Sequence, residues 1–226
     1  MSGFVHLRLH SEYSLVDSII RVTPFKKKGE IKPYLQPLTE HAAALGMPAI
    51  ALTDQCNLFA MVKFYKAAEA AGIKPITGAD VWLAPREAEA PPERVTLLAI
   101  DHPGYLNLVQ LVSRSFREGQ ALGRPIIERA WLAELNAGLI ALSGRQGEIG
   151  RELLAGHVPE AEAALSEWRG WFGDRFYLEL QRCNRPDDEA HVQAAVALAR
   201  IHGVPCLLYT SPSPRDLSTS RMPSSA

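Results

Sequence analysis

The sequence predicts an α/β protein assembled from successive βα units. Three observations carry that expectation. Short apolar runs of strand length alternate with longer amphipathic stretches along most of the 226 residues. Glycines stand just past several of the amphipathic stretches, where a left-handed residue ends a helix. The crossovers between runs are short, which favours a parallel sheet or a barrel over separate layers. Folds of this kind bind ligands at the C-terminal ends of their strands, so chemistry is sought there.

Strand-like runs fall at 4–9, 49–52, 73–78, 95–100, 138–143 and 176–180, with another from 204 onward. Amphipathic stretches separate most of them. The stretch 38–45 ends at Gly46 and 58–71 ends at Gly72; 105–116, 148–155 and 159–171 follow, and 187–202 starts after Pro186 and closes at Gly203. Trp168 and Trp171 are three apart on one predicted helix and read as a core stripe. An insertion at 24–37 carries Lys26, Lys27, Lys28 and Lys32 among three prolines. Four lysines are few for a nucleic-acid grip, so it reads as a solvated loop.

Composition narrows the function. The formal net charge is −1 with both signs interspersed, so the chain lacks the basic excess of a DNA-gripping module. No apolar run approaches the roughly 20 residues that span a bilayer, and no secretory signal is evident, so a cytoplasmic location without membrane partners is expected. Cys56, Cys183 and Cys206 are scattered without Cys-x-x-Cys spacing, which argues against a disulfide framework or a cysteine zinc site.

The C-terminus has a different character. From Ser211 onward the chain is rich in Ser and Pro and nearly devoid of apolar residues. Cys206-Leu207-Leu208-Tyr209-Thr210-Ser211 is what TGTCTCTTATACACATCT encodes, and Pro212-Ser213-Pro214-Arg215-Asp216 is what CCGAGCCCACGAGAC encodes. Both strings resemble a sequencing-library adapter read in one frame. The expected organisation is therefore a domain over 1–205, incomplete at its C-terminal end, and a non-native, disordered tail over 206–226.

Candidate site residues gather at the strand ends. Period-two alternation puts His6, Arg8 and His10 on one side of the first run, and Asp17 follows seven residues after His10. An imidazole and a carboxylate so placed can form a metal pair, although polar residues satisfied at a strand end would look the same. The second run leads into Thr53-Asp54-Gln55, with Asn57 at a predicted helix N-cap, and the third into Gly78-Ala79-Asp80.

These segments resemble a known family. Val5-His6-Leu7-Arg8-Leu9-His10-Ser11-Glu12-Tyr13-Ser14, Gly46-Met47-Pro48-Ala49-Ile50-Ala51-Leu52-Thr53-Asp54, Gly138-Leu139-Ile140-Ala141-Leu142-Ser143-Gly144 and Asp174-Arg175-Phe176-Tyr177-Leu178-Glu179-Leu180 are similar to the N-terminal PHP (polymerase and histidinol phosphatase) domain of the bacterial DNA polymerase III alpha subunit. The resemblance implies a distorted seven-stranded βα (TIM-like) barrel of PHP type, truncated here before its last strands. Metal-active members hold a cluster of three metal ions. Matched position by position, His10, Asp17 and Asp80 remain as ligands, while Arg8, Gln55, Arg94 and Arg145 stand where the family pattern has metal-binding side chains. A guanidinium has no lone pair to offer a metal, so no catalytic cluster is expected. The alternative is a metal-dependent phosphoesterase or built-in 3′–5′ exonuclease, with one zinc or manganese ion on the three remaining ligands. The resemblance further implies a parent polymerase that uses magnesium held by later domains, contacts DNA through those domains, and assembles with a proofreading exonuclease subunit, a sliding clamp and other replicase subunits. For the chain itself it implies a structural, exonuclease-docking role with no catalytic residue and no cofactor.

Overall fold

A computed structural model describes residues 4–15, 17–23, 26–27, 30–31, 37–87, 90–121, 123–183 and 185–210. The chain divides into two compact units, 1–141 and 142–226.

In the first unit, the lysine-bearing insertion forms a two-residue hairpin, β1 (Lys26–Lys27) against β2 (Glu30–Ile31). Lys28 and Lys32 lie outside the described residues. Helix α1 (Leu38–Ala44) leads to β3 (Ala49–Leu52), and α2 (Met61–Ala70) to β4 (Lys74–Leu83). β5 (Glu93–Ala99), α3 (His102–Arg117), β6 (Gln120–Ala121), β7 (Arg124–Ile127) and α4 (Arg129–Glu134) complete the unit before β8 (Leu139–Ser143) begins. Gly46 and Gly72 adopt φ of 71° and 72° just past α1 and α2, the conformation a helix-ending glycine supplies without Cβ strain. β3 and β7 pair in parallel with β4. β5 pairs with β4 antiparallel, a departure from the expected parallel units. Its cause is local. The linker 84–92 carries Pro85, Pro91 and Pro92 and is too short for a helical crossover, which takes a dozen residues or more.

The first predicted strand also differs. Residues 4–9 run extended, with one bridge from His6 to Ile50 and backbone bonds from Ala51 to His6 (2.8 Å) and from Thr53 to Leu9 (2.8 Å). The unit's core gathers Val22, Leu38, Ile50, Leu52, Phe64 and Ile73, all buried. Removing each from water contributes roughly 1.5–3 kcal/mol. One close contact fixes the entry of α3. Asp101 caps the helix by accepting from the Gly104 amide at 2.8 Å, and a Cβ on Gly104 would lie 1.9 Å from the Gly138 carbonyl oxygen.

In the second unit, α5 (Glu148–Ala155), α6 (Val158–Phe172), β9 (Phe176–Arg182), α7 (Asp188–His202) and β10 (Cys206–Thr210) continue the βα alternation. Trp168 is fully buried and stacks on Phe172 and Phe176 at 5.8 and 5.4 Å, as its helical spacing predicts. β10 pairs in parallel with β9 from Cys206–Leu178 to Thr210–Arg182. The expected disordered tail is therefore corrected for its first five residues. Cys-Leu-Leu-Tyr-Thr is apolar and β-prone, and it takes the next strand position beside β9. Residues 211–226 lie outside the described residues.

Candidate functional site

The centre of the site is Asp80, in the middle of β4 and fully buried. Its Oδ2 accepts from Arg8 through Nε and a terminal nitrogen, both at 2.9 Å. The same oxygen faces His10 Nε2 at 2.8 Å and Arg94 Nε at 3.5 Å. Its Oδ1 accepts from the Thr96 hydroxyl, two residues along β5 from Arg94 and on the same strand face. Burial alone would raise the Asp80 pKa, but Arg8, His10 and Arg94 override it and hold the carboxyl far below the usual range.

A second layer surrounds this centre. Asp17, half-exposed, takes Arg94 at 3.2 Å and faces His10 Nδ1 at 3.5 Å, so both imidazole nitrogens look onto carboxylates. Arg94 also donates to Gln55 Oε1 at 2.5 Å, and Gln55 in turn donates to the Asp80 backbone carbonyl at 3.3 Å. Trp82, directly opposite Arg94 in the β4–β5 register, is flanked by the guanidiniums of Arg94 at 5.5 Å and Arg124 at 4.9 Å from its ring centre.

The loop that carries Asp17 is anchored from below. Buried Asp54 accepts from the Ser11 amide (2.6 Å), the Ser11 hydroxyl (2.7 Å) and the Ser14 hydroxyl (2.7 Å). Ser18 donates to the His10 carbonyl at 2.7 Å. Asp54 thus fixes the loop and lies outside the Asp80 cluster. Asn57 caps a turn, accepting from the Phe59 amide at 3.1 Å, and α2 begins only at Met61.

The structure therefore brings together Arg8, His10, Asp17, Gln55, Asp80 and Arg94. Arg145 belongs to the second unit, where it pairs with Asp187 at 2.7 Å. Thr96, Trp82 and the serines at 11 and 14 escaped the sequence reading. Thr96 was accessible through its period-two spacing from Arg94, whereas nothing in the sequence marks Ser11 and Ser14 as partners of a residue 43 and 40 positions away. Among the described residues no three His, Cys, Asp or Glu side chains stand so that they could hold a metal ion.

Comparison with known proteins places this geometry. The PHP domain family model matches residues 6–183. The chain is 51 % identical over 205 residues to the DNA polymerase III subunit alpha of Pseudomonas fluorescens, covering 90 % of this chain and 16 % of that protein. It is 53 % identical over 198 residues to the same subunit of Pseudomonas aeruginosa (87 % and 16 %), and 44 % identical over 203 residues to that of Escherichia coli (89 % and 16 %). The chain thus spans about one sixth of the length of these relatives. Among solved structures, an amidohydrolase from Chromobacterium violaceum shares the fold, with a TM-score of 0.53 at 15 % identity over 89 % of this chain and 84 % of that one.

Proposed function

Because this chain belongs to the PHP domain family, we propose that it is the N-terminal part of a replicative DNA polymerase catalytic subunit, in which it serves as a structural and docking module. Template-directed nucleotidyl transfer belongs to the parent protein, with magnesium held by its later domains, and the chain alone is inactive. The proofreading exonuclease subunit is the partner assigned to the docking role, in the cytoplasm, while clamp and DNA contacts belong to the parent. No helix among the described residues is long and apolar enough to cross a membrane.

The observation that carries this reading is the set of cations on Asp80. A metal cluster needs lone pairs around a shared void. Here the Asp80 Oδ2 lone pairs face Arg8, His10 and Arg94, and both His10 nitrogens face carboxylates. Two fixed positive charges within 3.5 Å of the same oxygen oppose a divalent ion by Coulomb repulsion. The residues present do not fit a three-metal cluster, and no chemical step is routed through one. Arginine–carboxylate pairs take over the neutralising task instead.

Metal analysis of the purified chain tests this, beside phosphoesterase activity on a generic aryl phosphate. The expected results are substoichiometric zinc and manganese and no turnover. Stoichiometric metal that disappears in His10→Ala would overturn the reading and favour a single-ion phosphoesterase site on His10, Asp17 and Asp80. Residues 206–226 are read as foreign to the gene. Resequencing the source gene across codon 205 with adapter-free primers should show an open frame in a different sequence.

A further inference from the structure

The docking role proposed above leaves open where a partner sits, and one surface of the first unit answers with more than exposure. A groove of about 460 Å³ lies between the segment Cys56, Asn57, Leu58, Phe59 and the α3 face formed by Tyr105, Val109, Val112, Ser113 and Phe116. That volume is within the range of sites that bury a ligand, about 300–1,000 Å³. Phe59 is 72 % exposed and Phe116 45 % exposed, so two aromatic rings stand in water at its mouth. The polar side-chain atoms of the 56–59 wall are already engaged. The Asn57 amide donates to the Tyr13 and Gln55 carbonyls and accepts from Phe59, and the Cys56 thiol points to the Pro125 carbonyl at 3.8 Å. That wall therefore offers little to read a base edge or hold a phosphate, and the groove, lined by Leu58, Phe59, Val109, Val112 and Phe116, offers much to an apolar side chain.

Basic residues adjoin its lining residues along the chain or through hydrogen bonds, in a chain whose formal net charge is −1. Arg117 stands one helical turn beyond Ser113, and Arg124 precedes the proline that meets Cys56. Lys63 bonds Tyr13, whose carbonyl holds Asn57, and Lys66 is exposed one turn further along α2. The neighbouring acids are spent elsewhere: Glu118 pairs with Arg114 at 2.9 Å and Glu12 with Arg21 at 3.2 Å. From this complementarity we infer that the groove docks an amphipathic helix of a partner protein, with apolar anchors spaced i, i+4, i+7 and acidic residues flanking them. This inference rests on the docking reading and assigns it a surface.

The test uses the full chain and two designed, fluorescently labelled helical peptides. Both carry Leu and Phe at i, i+4 and i+7; one has glutamates at the flanking positions and the other lysines. Fluorescence anisotropy should show the glutamate peptide binding at least about tenfold more tightly than its lysine twin, with a Kd that rises with salt. Phe116→Ser should weaken it by about tenfold, as should Phe59→Ser, a second variant at a position exposed enough to spare the fold. Lys66→Glu should weaken the glutamate peptide and strengthen the lysine one. Equal binding of the two peptides, no binding of either, or displacement by an oligo-dT strand would overturn the inference. Binding of the cognate exonuclease subunit, measured in parallel, separates the two claims. Binding untouched by Phe116→Ser sinks the groove and keeps the docking role, whereas no binding to the wild-type chain sinks the docking role.

Discussion

Replacing Asp80 by asparagine keeps the side chain's shape and removes its charge, leaving Arg8 and Arg94 facing an uncharged amide. Breaking a buried ion pair by deleting one partner costs about 3–5 kcal/mol. The lower end applies here, because the side chains of Arg8 and Arg94 keep 18 % and 16 % of their exposure and Arg94 retains Asp17. A loss of about 3 kcal/mol in a chain of this size lowers Tm by roughly 6–12 °C. The sign with pH follows from the depressed Asp80 pKa. Its stabilisation is fully present above the unfolded value of 3.8 and is lost as pH falls through the lower folded value. The gap between wild type and Asp80→Asn, read by thermal or urea melts followed by circular dichroism, should stay level from about pH 8 to 5 and narrow below about 4. Adding Arg8→Met to Asp80→Asn should recover part of the loss, with a coupling of about 1 kcal/mol or more. An Asp80→Asn chain within about 0.5 kcal/mol of wild type at neutral pH would refute the argument that these ion pairs hold the site.

Three further outcomes follow from the same geometry. Asp54→Ala should cost about 2–3 kcal/mol by stranding the Ser11 and Ser14 donors, and limited proteolysis should then cut near these serines faster than in the wild-type chain. Gly104→Ala should destabilise by more than the roughly 1 kcal/mol expected for loss of the Asp101 cap in Asp101→Ala, because its methyl would collide with the Gly138 carbonyl, and melts of the two variants decide it. His191 is buried in α7, and burial, helped by Arg145, lowers its pKa below 6.5. The wild-type chain should lose stability as pH falls below about 6.5, and His191→Gln should flatten that part of the pH–stability curve.

Most of the fold was legible because it rests on local signals. β3 matches its predicted bounds, every residue of it is buried, and the glycines past α1, α2 and α7 all adopt positive φ. What escaped depends on contacts distant in sequence. The stretch 4–10 carries three alternating polar residues, His6, Arg8 and His10; Arg8 and His10 serve the Asp80 cluster, and the backbone makes only scattered sheet bonds. β4 continues past Gly78 to Leu83 because β5 returns alongside it, with Asp80 opposite Thr96 and Trp82 opposite Arg94. β6 and β7 are too short to announce themselves by alternation. At the site, alternation and strand-end position nominated Arg8, His10 and Asp80, but only the folded register shows that both arginines reach one carboxylate.

On the proposed reading, that convergence would let a carboxylate persist in the interior without a metal. A buried, ionised Asp80 is costly unless opposite charge and hydrogen bonds surround it. In a metal-active site divalent ions supply that charge, and the site is only as stable as its metal load. Here Arg8 and Arg94 supply it through ion pairs from the chain itself, Thr96 occupies the other oxygen, and Asp17 balances the second guanidinium while pinning its own loop to the strands. Chelators should accordingly leave the Tm of the wild-type chain unchanged, whereas 1 M salt should lower it only slightly, because Asp80 is shielded from solvent ions. A chelator-induced fall in Tm, measured beside Asp80→Asn, would show that the carboxylates answer to a bound ion and that the arginines are bystanders.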